Sequence, residues 1–276
     1  LAGVLSFVLL PISMSAIAQA SPAQAGTQSN QPGHSANIHD PAPDTSNFPN
    51  SANTLPKGRL YIENSPLGLL LAPPGESNEY QWSFLIRYGL TDRIELRTFS
   101  NGLTVRGQPD EKTGFSPLAF DVKVHLLDQK KDYLPSLGVE AFILTRLGTE
   151  AFVSGTAPSV NALFTHTLPK RFKVEYNFGI TREFIPSGEK VYRFSFPWAV
   201  TQNIVEDFEI FVQGFIGSAT LRRFQRERTD FIQETNAAGA GIIWTVHSRV
   251  AIWSSYSFGF SKVSPDILNV GFAVAF

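Results

Sequence analysis

From Lys57 to Phe276 the chain is a succession of segments in which apolar and polar residues alternate one by one. The last is the plainest. Leu268, Val270, Phe272, Val274 and Phe276 share one parity, and Asn269, Gly271, Ala273 and Ala275 share the other. Successive side chains of a β-strand point to opposite faces, so period two marks a strand with one face against an apolar medium. Elsewhere Trp82, Phe84, Ile86 and Tyr88 alternate with Ser83 and Arg87, and Phe120, Val122, Val124 and Leu126 with Asp121, Lys123 and His125. Val174, Tyr176, Phe178 and Ile180 alternate with Lys173, Glu175, Asn177 and Thr181, and Phe194, Phe196, Trp198 and Val200 with Arg193, Ser195 and Thr201. One face is strongly apolar and the other carries charge. About twelve such segments are legible, at 57–68, 79–90, 93–102, 115–127, 134–147, 157–167, 172–183, 191–202, 207–220, 233–245, 249–260 and 266–276.

Two all-β architectures fit alternation. In a soluble sandwich the apolar face points into a core; in a transmembrane barrel it meets lipid. Three features favour the barrel. The apolar face is rich in Phe, of which the chain has 23, and Tyr80, Trp82, Trp198 and Trp244 sit near segment ends, as interfacial girdles require. The segments are near the roughly 9–11 residues that a tilted strand needs to cross a bilayer, where about five or six is usual in globular proteins. Short connections (Thr91-Asp92, Asp128–Asp132, Pro169-Lys170, Asn203–Glu206, His247-Ser248) alternate with mostly longer ones (Leu70–Asn78, Leu103–Gly114, Gly148–Thr156, Leu221–Ile232). Short periplasmic turns and longer external loops are the habit of outer-membrane barrels. The expected fold is therefore all-β: a transmembrane antiparallel up-and-down β-barrel of about twelve strands over residues 55–276.

The first 54 residues differ in kind. Leu1–Leu10 is nearly continuous apolar sequence, Pro11 ends it, and Ala18-Gln19-Ala20 is a small-x-small cleavage pattern. Residues 1–20 thus read as a secretory signal peptide whose basic n-region would precede Leu1. The run is shorter than the roughly 20 residues of a spanning helix. Residues 21–54 are rich in Pro, Ser, Asn, Gln and Ala and hold little to bury, so a disordered periplasmic leader is expected. His34 and His39 fall in it and read as solvated polymer. There is no cysteine, which removes disulfides and thiolate metal sites, and a net charge of -1 gives no bulk attraction to nucleic acid. No nucleotide loop, metal cluster or cofactor motif is present. A lipid hydrolase would need a Ser and a His on the lipid-facing surface at the external rim, whereas His166 and His247 fall at the opposite ends of their segments, so no enzyme is expected.

Parity puts Arg59, Glu63, Arg87, Glu95, Arg97, Asp121, Lys123, His125, Glu140, Arg146, Lys173, Glu175, Arg193 and Glu209 inside. Buried charges must pair or be hydrated. Either they form ion-pair ladders that fill a narrow barrel, or they line a hydrated path with a polarised constriction. The constriction candidates are Arg87, Glu95, Arg97, Asp121, Lys123, Glu140, Lys173, Glu175 and Arg193, with Arg87, Glu95 and Arg97 as the best single cluster. Arg222, Arg223, Arg226 and Arg228 give one external loop a basic run, which either contacts lipopolysaccharide phosphates and anionic solutes or is a solvated tip.

A final amphipathic strand closing on an aromatic residue, here Phe276, resembles the end of a bacterial outer-membrane β-barrel. That resemblance implies recognition by the barrel assembly machinery during biogenesis, and contact with outer-membrane lipid and lipopolysaccharide afterwards. Leu55-Pro56-Lys57-Gly58-Arg59 with Ile62-Glu63, then Arg87-Tyr88-Gly89-Leu90-Thr91-Asp92-Arg93-Ile94-Glu95-Leu96-Arg97, resembles the outer-membrane transporter family named for the MetA pathway of phenol degradation. Pro117 with Asp121-Val122-Lys123, and Pro135 with Gly138-Val139-Glu140, fit its next strands. The resemblance implies a channel or transporter for small, hydrophobic or aromatic, organic solutes. The alternative is a structural or adhesin-type barrel with a closed lumen.

Overall fold

A computed structural model describes residues 38, 41, 43–130, 134–184, 190–218 and 234–276. Among the described residues there are thirteen strands: β1 (Leu60–Leu71), β2 (Glu79–Thr91), β3 (Ile94–Arg106), β4 (Lys112–Phe115), β5 (Ala119–Leu127), β6 (Ser136–Leu144), β7 (Ala157–Leu168), β8 (Phe172–Phe184), β9 (Lys190–Val205), β10 (Phe208–Gly217), β11 (Thr235–His247), β12 (Val250–Gly259) and β13 (Asp266–Ala275). Each pairs antiparallel with its chain neighbour, except that β5 passes β4 to pair with β3. β1 pairs with both β2 and β13, which closes the sheet. Twelve strands form the barrel, and β4 is a short extension of the wall on the upper part of β3. Closure pairs each of the twelve barrel strands on both sides, the condition for strands to sit in hydrocarbon. Among the described residues no α-helix occurs and no helix is long and apolar enough to cross a membrane.

Alternation sets the two faces. In β2, Gln81, Ser83, Leu85 and Arg87 are buried while Trp82, Ile86, Tyr88 and Leu90 are exposed. In β5, Asp121, Lys123 and His125 are buried while Phe120, Val122 and Leu126 are exposed. The buried polar face is the lumen and the exposed apolar face is the outer surface. On that outside Phe164 stacks on Tyr176 at 4.9 Å between ring centroids, and Phe178, Phe194 and Phe196 continue the patch across β8 and β9. Trp82 and Trp244 are about half exposed, as a girdle requires.

The segments at 79–90, 172–183 and 266–276 lie almost residue for residue on strands. The stretch from Leu103 to Gly114, expected as a loop, is largely strand: β3 runs on to Arg106 and β4 returns beside it. The extension is hidden by a bulge. Trp82 faces both Gly102 and Leu103, and Gly102 takes φ +59, which reverses the parity of the later residues of β3. Arg146, expected inside, lies beyond the end of β6 and is exposed, and Arg59 sits half-buried just before β1. Parity holds only within a strand, and both positions lie outside one.

The stretch read as a disordered leader departs most from expectation. Residues 1–37 lie outside the described residues, as do His39 and the basic run Arg222–Arg228. Residues 43–54, however, are inside the barrel. Asp44, Ser46, Asn50, Ser51 and Ala52 are all at most 1% exposed. Ile38 donates its N–H to Ser248 O at the short-turn end, and Phe48 packs edge-on against Phe215 near the long-loop end. Thr54 then donates to Asp92 O, back at the short-turn end. The segment therefore rises through the lumen, reverses near Phe48 and descends into β1. It has few apolar residues, Phe48 among them, and most of its surroundings are polar. Its ordering is offset mainly by hydrogen bonds and ion pairs, with burial of large apolar side chains confined to Phe48 and to Ile38 and Leu55 at its ends.

Gly89 marks where this segment leaves the lumen. A methyl group there would collide with the carbonyl oxygens of Leu55 and Pro56. We expect Gly89→Ala to cost about 1–3 kcal/mol through this backbone clash. The check is the urea midpoint of the detergent-solubilised barrel; an unchanged midpoint would show that Leu55 and Pro56 yield freely.

Candidate functional site

The lumen is two-sided. Its charged side is built by β1, β2, β3, β5 and β6, whose inward residues at one level are Glu63, Arg87, Glu95, Arg97, Asp121, Lys123 and Glu140. Register puts them together: Tyr61 faces Arg87, Arg87 faces Arg97, Arg97 faces Asp121, Glu95 faces Lys123, and Lys123 faces Glu140. Arg87 forks onto Glu95, with Nε to Oε1 at 2.7 Å and Nη2 to Oε2 at 3.1 Å, and donates through Nη1 to Glu63 at 3.0 Å. Arg97 pairs with Asp121 at 3.1 Å and with Glu140 at 2.8 Å.

Asp44, from the lumen segment, completes the group. Its carboxylate lies 3.1 Å from Arg87 Nη1, 2.9 Å from Arg97 Nη1 and 2.7 Å from Lys123 Nζ. Its backbone N–H donates to Glu63 Oε1 at 2.9 Å, while the N–H and Oγ1 of Thr45 donate to Glu63 Oε2. Three cations thus meet five carboxyl groups out of reach of bulk water. Charged groups in such surroundings interact strongly, and each depends on its partners because few waters can replace them.

The descending limb is held in the same polar way. Asn50 donates through Nδ2 to both oxygens of Glu140, at 2.8 and 2.9 Å, and exchanges two hydrogen bonds between its backbone and the Asn177 side chain. Ala52 N–H donates to Thr165 Oγ1, and Leu55 N–H donates to Glu95 Oε2. His125 Nδ1 lies 2.8 Å from Ala52 O, and its Nε2 lies 2.9 Å from Asp128 in the turn after β5. That contact with His125 is the largest influence holding the Asp128 carboxyl below the usual aspartate range.

Of the nine constriction candidates, six gather around Asp44. Lys173 and Glu175 form a separate pair at 2.7 Å on β8, near Glu209. Arg193 stands apart toward the long-loop end, donating to Ser218 O and Thr235 Oγ1. Asp44 and Asn50, the two side chains that bind the wall most closely, are not among the candidates. The only signal for them is a polar segment lying directly before the first strand.

The opposite side of the lumen is mixed: Glu209, Gln213, Ser255 and Asn269 are buried on it, beside an apolar cluster. Tyr61, Phe211, Ile243, Ala251, Trp253, Ala273 and Ala275 cluster with Ile38 and Leu55. Gly271 lacks a side chain where the Trp253 ring lies. The two sides meet where the Arg87 guanidinium sits 5.6 Å from the centre of the Tyr61 ring. Near Phe48, Gln213 and Asn269, a void of about 10 Å³ has room for about one water.

A closed twelve-stranded antiparallel barrel, apolar outside and charged within, is a transmembrane β-barrel of the outer-membrane type. The chain belongs to the family described as "Putative MetA-pathway of phenol degradation", whose model matches residues 44–275. That match takes in Asp44 and most of the lumen segment as well as the strands. In fold, the chain is similar to an outer-membrane channel from Pseudomonas putida F1, with a TM-score of 0.55 at 12% identity over 82% of this chain and 98% of that one. It aligns more loosely with the NanC porin (TM-score 0.49, 10% identity, 78% and 97% covered). The translocator domain of the autotransporter NalP from Neisseria meningitidis aligns with a TM-score of 0.44 at 12% identity, over 80% and 89% of the two chains. Among curated proteins, none matches the chain.

Proposed function

We propose that the protein is an outer-membrane channel for small organic solutes, aromatic ones among them, and that residues 43–55 hold it shut. The observation that carries this reading is the polarity of the contact between segment and wall. Asp44, Thr45, Asn50 and Ala52 all engage the wall through ion pairs or hydrogen bonds. A core of interlocked aliphatic side chains cannot be exchanged for water. A polar contact can, because the water that fills the lumen as the segment withdraws takes over each lost partner. The segment runs into β1 through residues 55–59 and forms no part of the sheet, so it can leave without opening a strand pair. The mixed lining supports the solute class: the apolar cluster around Phe211 and Trp253 accepts a ring while charged groups orient a polar substituent. Outer-membrane lipid and lipopolysaccharide are the partners of the outer surface, and the assembly machinery that of the last strand.

Planar-bilayer recording tests the reading. The full chain should show brief, small current steps, and a chain lacking residues 1–54 should show sustained conductance at least several-fold larger. The dense filling of the lumen favours a second reading, a closed barrel with a structural or adhesive role. A truncated barrel that keeps its heat-modifiable gel mobility yet stays electrically silent would establish that reading instead.

A further inference from the structure

Asp44 sits in its cradle as a ligand would. One carboxylate meets three cations on three different strands, at 3.1, 2.9 and 2.7 Å, and both it and the Lys123 side chain are fully buried. Each cation also has a wall carboxylate: Glu63 and Glu95 for Arg87, Asp121 and Glu140 for Arg97, and Glu95 at 3.8 Å for Lys123. The wall is therefore assembled without Asp44, which supplies one removable negative group. Beside that group, the N–H donors of Asp44 and Thr45 and the Thr45 hydroxyl satisfy Glu63. The Tyr61 ring lies against Arg87 and opens the apolar cluster toward Phe211 and Trp253. Trp253 Nε1 is buried and has no hydrogen-bond partner among the described residues.

We infer that the cradle of Arg87, Arg97 and Lys123 is the solute site, and that its ligand is a small aromatic acid carrying a hydroxyl group. The solute carboxylate replaces that of Asp44, its hydroxyl donates to Glu63 in place of Thr45, and its ring lies on the Tyr61 side. The exchange leaves the charge of the site unchanged, so whatever balances Asp44 also balances the solute. A neutral solute brings no carboxylate to Arg87, Arg97 and Lys123 in place of that of Asp44, and does not displace the segment. The N-terminal segment is thus a tethered competitor, acting at an effective concentration in roughly the millimolar range. This assignment rests on the channel reading for its physiological sense, but its tests do not require current to flow.

The chain has no cysteine, so Ser46→Cys introduces a single thiol on the buried segment. In the full-length protein in detergent, millimolar 4-hydroxybenzoate should raise the rate of thiol modification at least fivefold. Benzoate, which lacks the donor to Glu63, should need roughly tenfold more. Phenol, uncharged at neutral pH, should have no effect. Calorimetric titration gives the second measurement: Asp44→Asn, which removes the tethered competitor and keeps the wall, should bind 4-hydroxybenzoate at least tenfold more tightly than the native chain. Equal potency of phenol and the acids, no effect of any of the three, or an unchanged affinity in Asp44→Asn would each overturn the assignment. Equal potency of benzoate and 4-hydroxybenzoate would overturn the role given to Glu63. Thiol exposure driven by the acids in a barrel that passes no current would sink the channel reading and leave the site standing. Current without any carboxylate effect would do the reverse.

Discussion

Replacing Asp44 by Asn is expected to unlatch the lumen segment and raise its undocked fraction by roughly a hundredfold. Asparagine keeps the shape of the side chain but takes the negative charge from between Arg87, Arg97 and Lys123. Removing one partner of a buried ion pair costs about 3–5 kcal/mol, because the other charge stays desolvated. The smaller value applies here for two reasons. Every cation keeps a wall carboxylate, and five carboxyl groups facing three cations repel one another, a strain that the substitution relieves. About 3 kcal/mol is roughly two decades in a docking equilibrium. The loss falls on the segment and not on the barrel, since β1 to β13 keep their pairing. Open probability in planar bilayers should rise accordingly, with the unfolding midpoint almost unmoved. Thr45→Val removes one hydroxyl donor from Glu63 and should loosen the segment by only about 1–2 kcal/mol. An open probability in Asp44→Asn equal to that of the native chain would show that the segment is held by something other than this contact.

The difference between what the sequence foretells and what it hides comes from the range over which each feature is encoded. The strands are legible because a strand writes its two environments into adjacent residues. Phe120 against Asp121, or Phe272 against Ala273, needs no knowledge of the rest of the chain. The grouping of Arg87, Glu95 and Arg97 is nearly as local, because one tight turn fixes the register of β2 on β3. The meeting of that group with Lys123 and Glu140 depends on closure and on register between strands, which residue patterns do not state. Asp44 is further removed still, since its partners belong to β1, β2, β3 and β5. Composition correctly reports that residues 43–54 have little apolar surface to bury. It is blind to a polar interior that can hold them by hydrogen bonds. The bulge at Gly102 shows the same limit on a smaller scale, since one residue in the left-handed region flips every later side chain of β3.

Arg87 should be the residue whose loss damages the barrel itself. Its side chain is fully buried and bonds Glu63, Glu95 and Asp44 at once, tying β1, β2, β3 and the lumen segment together. Arg87→Met preserves much of the volume and the stacking against Tyr61 but leaves those three carboxylates facing one another. The expected cost is about 3–5 kcal/mol, for buried charges stripped of their partner. Arg87→Lys keeps the charge but cannot fork onto both oxygens of Glu95 while reaching Glu63, so it should recover only part of the loss. Urea unfolding monitored by heat-modifiable gel mobility measures both. The diagnostic comparison is the double variant Arg87→Met with Glu95→Gln, in which one of the stranded charges is neutralised. If mutual repulsion of carboxylates is the cause, the second change, unfavourable alone because it weakens the hold on Arg87 and on Leu55 N–H, becomes stabilising once Arg87→Met is in place. That reversal of sign separates electrostatic stranding from simple loss of packing, because packing loss at Arg87 would leave Glu95→Gln as harmful as before.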